Sequence, residues 1–313
     1  MQMLRYNNKK ERNRTMEEVL VLMSTYNGER FLEEQLASVF GQEGVGISVL
    51  GRDDGSTDGT LRILEQWKAT HRLDYVCGRN VGAARSFFLL LEQAPQCDYY
   101  AFADQDDVWY PDKLRRGVDS IRQQQAPCLY FSNVDLTDAQ GRLKQRNLPE
   151  TLQLTKQNAL IESFASGCTM VFNDALRQLV CRHIPDADVY HDRWLFLMAM
   201  FQGKVVYDGV PSMGYRQHGA NQVGSQTAAE KGSLLRRLLK DGDFPMADTA
   251  ALFLRYFGQE LTASDKHIVQ VCASYKHSVT SKMTLIFHPD YRLAVGGMVR
   301  SIYWKLRIML NRL

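Results

Sequence analysis

Short apolar runs alternate with longer amphipathic stretches from Glu18 to about Asn173, and few folds accommodate such an alternation. The run EVLVLMS is typical of a buried strand, and the apolar residues that recur at three-to-four spacing from Phe31 to Phe40 indicate a helix. The same unit begins again at GISVL, at DYVC and at DYYAFA. Strands that alternate with helices form parallel sheets covered by helices, so we predict an α/β fold with a doubly wound sheet.

Polar residues follow each of the four predicted strands. In doubly wound sheets ligands bind at the carboxyl ends of the strands, so we expect a binding site at this edge. The first strand is not followed by G-x-G-x-x-G and the chain contains no G-x-x-x-x-G-K-[ST], which disfavours dinucleotide and P-loop sites. The polar clusters are Thr25-Tyr26-Asn27, Asp53 to Ser56, Asn80 to Arg85, and Asp104 to Asp107.

Three carboxylates, those of Asp104, Asp106 and Asp107, crowd into the loop after the fourth strand. Such a cluster repels itself unless a cation neutralises it, and carboxylate oxygens suit Mg²⁺ or Mn²⁺. The alternative is a solvated acidic turn, or an N-cap for the helix that follows Pro111. Both interpretations are open at this point.

The second and third loops offer candidate nucleotide contacts. Asp53 or Asp54 can accept hydrogen bonds from a base or a ribose, and Thr57 or Asp58 can cap the next helix. Arg85 lies near a helix start, where the dipole disfavours a cation, so its guanidinium can serve a phosphate or a base instead. The alternatives are an ordinary capped loop and a surface arginine.

Two later motifs bring further acid, base and cationic groups. In HDRW, Asp192 is a candidate general base, and the alternative is a helix N-cap. In YRQHGAN, Arg216 and His218 share a face if the segment is extended, and both can act on a pyrophosphate or a metal. The alternative for both is an exposed loop cation. The chain contains no G-x-S-x-G motif, so a nucleophilic hydrolase is not supported.

The charge balance gives little sign of a nucleic-acid partner, since 38 basic and 35 acidic residues leave a formal charge of only +3. Met1 to Thr15 is predicted to be a basic tail without the apolar core of a secretory signal. With no run of about 18 apolar residues elsewhere, we expect a cytoplasmic protein. The six cysteines form no C-x-x-C pair and are predicted to be reduced, mostly buried thiols.

The region from about residue 224 to 313 is predicted to be mostly helical, and the catalytic domain is expected to span 16–223. The last stretch, MVRSIYWKLRIMLNRL, combines four basic residues with apolar and aromatic ones and has no acid. Such a helix can lie in a membrane interface, here at the cytoplasmic face of the inner membrane, or it can be a terminal helix packed on the domain.

Taken together, the motifs resemble glycosyltransferase family 2. The resemblance covers about Val19 to Asn221, and the pieces occur in family order: LMSTYNGERFLEEQLASV, DDGSTDGT, RNVGAARSF, FADQDDVWYPDKL, SGCTMVFN, HDRW and YRQHGAN. DQDDVW and the later pair of motifs are further similar to a bacterial, rhamnosyltransferase-like branch that builds O-antigen or capsular polysaccharide. Gly51-Arg52 and Ser86 depart from the usual family pattern.

The resemblance implies a GT-A fold with a mixed, mainly parallel sheet, and transfer of a sugar with inversion. The implied partners are a dTDP-, UDP- or GDP-linked sugar donor and a lipid-linked oligosaccharide acceptor, with Mg²⁺ or Mn²⁺ as cofactor. Asp192 matches the catalytic base, and Asp104, Asp106 and His218 are the expected metal ligands. The expected nucleotide-sugar contacts are Thr25, Tyr26, Asn27, Asp53, Asp54, Arg85, Asp104, Arg216 and His218.

Two other functions are compatible with the same acidic loops. A nucleotidyltransferase or sugar-nucleotide hydrolase would use a similar sheet, but it would release pyrophosphate or free sugar. An inactive nucleotide-binding relative would keep the fold without transfer.

Overall fold

The computed structural model describes residues 16–218, 245–295 and 297–312. The predicted basic tail over residues 1–15 and the predicted domain boundary near Val223 lie outside these ranges.

One mixed sheet forms the centre of the described structure. Its strands are β1 (Glu18–Thr25), β2 (Gly46–Asp53), β3 (Leu73–Cys77), β4 (Tyr99–Ala103), β5 (Val108–Trp109), β6 (Cys128–Thr137), β7 (Leu143–Arg146), β8 (Met170–Asn173) and β9 (Lys204–Arg216).

Helices cover both faces of the sheet. In the described part of the chain they are α1 (Leu32–Phe40), α2 (Thr60–Lys68), α3 (Ala83–Gln93), α4 (Lys113–Ile121), α5 (Lys156–Ile161), α6 (Asp174–Arg182), α7 (His191–Gln202), α8 (Met246–Phe257), α9 (Ala263–Ser274), α10 (Val279–Phe287) and α11 (Met298–Met309). A short 3₁₀ turn, Gly167–Thr169, precedes β8.

The strand order is β3-β2-β1-β4-β8-β6-β9-β5, with β7 paired to β6. The first four strands are parallel, and their register places Thr25 beside Asp53 and Asp53 beside Cys77. The four predicted loops therefore open at one edge, as we expected. From β8 onward antiparallel pairs dominate, which makes the sheet mixed. The predicted α/β class is confirmed.

The alternation of side chains along β1 divides the core into two layers. Val19, Val21 and Met23 pack on one side with helices α1, α2 and α4. Leu20 and Leu22 pack on the other side with α3, α6 and α7. A parallel strand in the middle of a sheet is apolar on both faces, which explains the continuous apolar run in its sequence.

The first turn of α2 corrects one predicted detail. Gly59, rather than Thr57 or Asp58, is the N-cap residue. Asp58 nevertheless accepts a hydrogen bond from the Thr60 N–H at 3.0 Å, whereas the Thr57 N–H donates to Asn27. Asp58, the residue before the N-cap, thus accepts a hydrogen bond from a backbone N–H group in the first turn of the helix.

The helices after residue 245 share the core of the sheet. Phe253 and Phe257 of α8 pack against Trp194 of α7. Arg193 is buried and donates to the carbonyl groups that end α5. The predicted helical region is present, and it packs on the same core as α7. Within the described residues, no helix is both long enough and apolar enough to cross a bilayer.

Candidate active site

Asp53 organises the loop that follows β2. Its carboxylate accepts hydrogen bonds from the backbone N–H groups of Gly55 and Ser56, and from the hydroxyls of Thr25 and Ser56. Gly55 has φ +89°, a backbone region that glycine adopts without strain. Because Asp53 and Thr25 are both buried, they support the loops after β1 and β2 from the protein interior.

Asp54 is buried against Arg52, the residue that departs from the family pattern. The Asp54 carboxylate accepts the Arg52 guanidinium and the N–H groups of Val81 and Gly82, the latter at 2.9 Å. Arg52 also donates to Ser86, the second departure. The two unusual residues therefore belong to one network, which ties the loop after β2 to the start of α3.

Tyr26 and Asn27 lie at the surface of the same edge. Gln105 pairs with the Tyr26 backbone in both directions, accepting from its N–H at 2.8 Å and donating to its carbonyl at 3.0 Å. Asn27 has φ 47° and accepts from the Thr57 N–H. Tyr26 is 45% exposed, so it is accessible to a ligand at this edge.

Arg85 lies in the first turn of α3 with its side chain exposed. Among the described residues, no side chain or backbone group hydrogen-bonds its guanidinium. This arrangement leaves Arg85 able to reach an anionic group above the strand ends, and nucleotide binding by Arg85 stays a prediction.

The acidic loop after β4 is crowded and poorly solvated. Burial raises the pKa of Asp104 to about 7, and the neighbouring charges of Asp106 and Asp192 add to the rise. Burial also raises the pKa of Asp106 and that of Asp107. Asp107 is 1% exposed and accepts the Arg216 N–H at 3.1 Å. Asp104 and Asp106 are half-buried, and the Asp104 carboxylate lies within 4.8 Å of that of the buried Asp107.

Cys168 and Lys113 lie beneath the acidic loop, and neither was predicted from the sequence to be part of the site. The Cys168 thiol is buried, and burial raises its pKa well above the ordinary value. The Lys113 ammonium is also buried, donates to the Ser212 hydroxyl at 3.2 Å, and has its pKa lowered to about 8 by burial. All six cysteines are free thiols, as predicted, although only three are fully buried.

Arg216 and His218 come to the acidic loop from the end of β9. The Arg216 guanidinium donates to the Asp106 carbonyl at 2.9 Å and pairs with Glu34. The His218 Nε2 lies 2.9 Å from an Asp106 carboxylate oxygen, and its ring stacks on Phe31. Both residues therefore hold the acidic loop, and neither is the exposed loop cation of the alternative interpretation.

Asp192 lies in the first turn of α7 beside the acidic loop. The residue before this helix, Tyr190, is the N-cap, so the alternative of an N-cap role for Asp192 is wrong. One Asp192 carboxylate oxygen accepts the Gly167 N–H at 3.1 Å. The next residue, Cys168, has its Sγ within 4.8 Å of carboxylate oxygens of Asp104 and Asp107, so the turn that binds Asp192 also contacts the acidic loop. A candidate base thus lies next to the candidate metal ligands.

His191 packs behind Asp192 and restricts the position of Gly167. The His191 ring stacks on Phe87 with centroids 4.1 Å apart and meets Phe102 edge-on. Burial lowers the pKa of His191 to about 4, so the ring is neutral at physiological pH. A Cβ atom on Gly167 would lie 2.7 Å from the His191 Nε2. The 3₁₀ turn can therefore approach α7 only with glycine at this position.

Replacing Gly167 with Ala is expected to lower stability by about 1–3 kcal/mol, because the aromatic neighbours leave His191 no room to move. The overlap also displaces Asp192, so sugar transfer should fall in the same variant. Thermal unfolding and a transfer assay measure both effects. Gly297→Ala is the matched control, since a Cβ there meets nothing within 4 Å. A Gly167→Ala variant as stable and active as the wild type would contradict the packing argument.

The acidic loop offers only part of what a divalent cation requires. Within the described residues, the ligand atoms that lie within 4.8 Å of one another are those of Asp104, Asp107 and Cys168. A buried, protonated thiol does not suit Mg²⁺ or Mn²⁺, which take oxygen ligands and keep several waters. The half-buried Asp104 and Asp106 do suit these ions. His218 contacts Asp106 directly, and ligation of a cation by His218 stays a prediction.

The chain is similar to known proteins along most of its length. A profile described as Glycosyl transferase family 2 matches residues 20–180. The chain is 35% identical over 221 residues to the dTDP-rhamnosyl transferase RfbG of Shigella flexneri, which covers 65% of this chain and 74% of that protein. The chain belongs to glycosyltransferase family 2. The resemblance in the motifs is thereby confirmed, and the protein is a glycosyltransferase.

Solved structures agree with this assignment at the level of the fold. S. aureus TarS 1–349 in complex with UDP-GlcNAc superposes with a TM-score of 0.60 at 17% identity, covering 87% of this chain and 77% of that one. The same protein in complex with UDP gives a TM-score of 0.53 at 14% identity, covering 93% of this chain and 88% of that one. The family 2 glycosyltransferase described here therefore has the expected GT-A fold.

Proposed function

We propose that this family 2 glycosyltransferase transfers rhamnose from a dTDP-linked donor to a hydroxyl group of a growing cell-surface polysaccharide, with inversion at the anomeric carbon. The observation that carries the mechanism is the position of Asp192, which binds the Gly167 N–H next to Cys168 and so lies beside the acidic loop at the carboxyl ends of the parallel strands. The choice of rhamnose is supported by the similarity to a dTDP-rhamnosyl transferase.

Inversion requires one displacement, so one base is sufficient. The acceptor hydroxyl gives its proton to the Asp192 carboxylate while its oxygen bonds to the anomeric carbon. The bond from that carbon to the nucleoside diphosphate breaks in the same step, and the bonding electrons leave with the diphosphate. The Gly167 N–H donates a hydrogen bond to one Asp192 carboxylate oxygen, and this bond keeps the Asp192 side chain oriented.

Asp104 and Asp106 would hold the divalent cation, Mg²⁺ or Mn²⁺. A bound cation supplies positive charge against the diphosphate that leaves. Residues of this chain keep the acidic loop in place: His218 contacts the Asp106 carboxylate, the Arg216 N–H binds Asp107, and Asp104 lies within 4.8 Å of Asp107 and Cys168. Arg216 is expected to act through this loop, because its guanidinium already binds the Asp106 carbonyl and Glu34.

The nucleotide would lie over the loops after β1, β2 and β3. Tyr26 and Arg85 have exposed side chains at this edge and are the proposed direct contacts, together with Asn27. Thr25, Asp53 and Asp54 are buried and would act by shaping the loops. We further propose a lipid-linked oligosaccharide as acceptor and a location at the cytoplasmic face of the inner membrane.

Donor identity and metal dependence can be tested in one thermal-shift experiment. The full chain is heated with UDP-, GDP- and dTDP-linked sugars in the presence of Mn²⁺, Mg²⁺ or EDTA. A ligand at a hundredfold excess over its Kd adds about 2.7 kcal/mol, which corresponds to a rise in Tm of several degrees. We expect the dTDP-linked sugar to stabilise only with metal, and Asp106→Ala to lose the effect.

Asp119→Ala is the matched control, because Asp119 is an exposed acid of α4. This variant should keep the full stabilisation. Stabilisation that persists in EDTA would overturn the metal site, and stabilisation by a UDP- or GDP-linked sugar alone would overturn the choice of donor. The reaction products separate the remaining alternatives: transfer releases an intact nucleoside diphosphate, whereas a nucleotidyltransferase releases pyrophosphate and a hydrolase releases free sugar.

A further inference from the structure

Helices α10 and α11 pack against each other and expose apolar side chains. On α10 these are Val279, Met283 and Phe287, which are 76%, 40% and 75% exposed. Residues four apart lie on the same side of a helix, so the three form a single stripe. Leu285 and Ile286 lie on another side of α10 and are buried.

Helix α11 has two apolar faces, and only one of them is covered. Trp304 and Ile308 are buried in the core. At 3.6 residues per turn, the exposed apolar residues fall within an arc of about 100° on the other side of the helix. These residues are Met298, Val299, Ile302, Leu306 and Met309, with exposures of 79%, 83%, 52%, 38% and 58%.

The basic residues of α11 lie outside its exposed stripe, and one of them borders it. At about 100° per residue, Lys305 lies about 20° outside one edge of the stripe, whereas Arg307 and Arg300 lie about 80–100° beyond the other edge, towards the side of Trp304. Arg300 is half-exposed although it reaches Glu162, at 3.2 Å. Together with Lys282, helices α10 and α11 carry four basic residues and no acidic one. The exposed face is therefore apolar, with Lys305 at its border and no acidic residue on either helix.

The charge at the borders decides between two occupants of this face. A symmetric dimer would place the same patch on both subunits, which would bring cations against cations. An anionic lipid surface instead offers apolar chains to the stripe and negative headgroups to its borders. We propose that the exposed face of α10 and α11 docks on the surface of an anionic lipid bilayer.

This inference extends the proposed location of the enzyme at a membrane and rests on it. A docked face of this kind holds the protein reversibly, because a single interfacial element gives modest affinity. The consequence for function is that the enzyme would work on acceptors that are themselves held at the bilayer. The bilayer contact involves none of the donor-binding loops, so docking and donor binding can be measured separately.

Vesicle flotation with the full chain tests the proposal. Vesicles of phosphatidylcholine alone are compared with vesicles that also contain phosphatidylglycerol. We expect binding only to the anionic vesicles, and weaker binding at about 1 M salt, where the screening length falls to about 3 Å. Ile302→Glu and Phe287→Glu should each lower the bound fraction about tenfold, because each removes one buried apolar side chain from the contact.

Leu143→Glu is the matched control, since Leu143 is 64% exposed on β7 and the charge change is the same. It should bind vesicles as the wild type does. Equal binding by Ile302→Glu, or no binding of the wild type to anionic vesicles, would overturn the proposal. A dimer in solution that Ile302→Glu dissociates would assign the face to a second copy instead.

The thermal-shift experiment with a dTDP-linked sugar keeps the two proposals distinguishable. If the Ile302→Glu variant no longer binds vesicles but is still stabilised by the donor, its active site is intact and the docking proposal is supported. If the donor fails to stabilise the wild type, the proposed function is contradicted. The docking proposal is unaffected, because the vesicle flotation assay contains no donor.

Discussion

Asp192→Asn is expected to lower the rate of sugar transfer by about 10²–10⁴-fold and to leave donor binding intact. The amide has nearly the same shape as the carboxylate, and its oxygen can still accept the Gly167 N–H, although its NH2 group then faces the Arg193 N–H that the second carboxylate oxygen accepts. It cannot take the proton of the acceptor hydroxyl, so the chemical step should suffer while donor binding is kept. The measurement is kcat from release of the nucleoside diphosphate, together with the donor-induced rise in Tm.

Asp188→Asn is the matched control for this variant, because Asp188 is an exposed acid in the segment just before α7. It should transfer sugar at the wild-type rate. If Asp192→Asn also transferred at the wild-type rate, another group would have to be the base. If it lost donor stabilisation instead, Asp192 would have to be placed among the donor contacts.

Asp54→Ala is expected to lower the free energy of unfolding by about 3–5 kcal/mol, because it leaves the buried Arg52 guanidinium without its counter-charge. The side chains of Arg52 and Asp54 are 6% and 4% exposed. The N–H groups of Val81 and Gly82 lose their acceptor in the same change. Urea or thermal unfolding measures the loss.

The double variant Arg52→Met with Asp54→Ala tests the cause. It should be more stable than the sum of the single changes predicts, by a coupling energy of about 0.5–3 kcal/mol. Asp74→Ala removes an exposed partner of Lys68 and should cost less than about 1 kcal/mol. If Asp54→Ala unfolded like the wild type but lost donor binding, Asp54 would be a nucleotide contact and not a structural residue.

The order of the elements and the edge that carries the site follow from local sequence alone. Each strand of the first four is a separate apolar run, and each loop begins directly after it. In a parallel sheet those loops must open at one edge, whatever the details of packing. The strand pattern is therefore sufficient to place the loops of Thr25, Asp53 and Asp104 together.

The role of each side chain in those loops depends on burial, which local sequence does not encode. Asp54 was predicted to bind the nucleotide, but in the folded chain it pairs with Arg52 below the surface. Lys113 and Cys168 are separated by 55 positions and meet only because α4 and the turn before β8 pack on the same strands. Similarly, His218 reaches Asp106 only through the return of β9.

The last helix illustrates the same division between periodicity and packing. Its sequence is apolar on more than one side, so periodicity predicts a helix and leaves two interpretations of its faces. The tertiary structure covers Trp304 and Ile308 and leaves Val299 and Ile302 in contact with solvent.

Local sequence determined the helix, the strands and the edge of the site, because hydrogen bonds and side-chain alternation act over a few residues. Only the folded chain decided which faces and carboxylates are buried, because burial depends on residues distant in sequence.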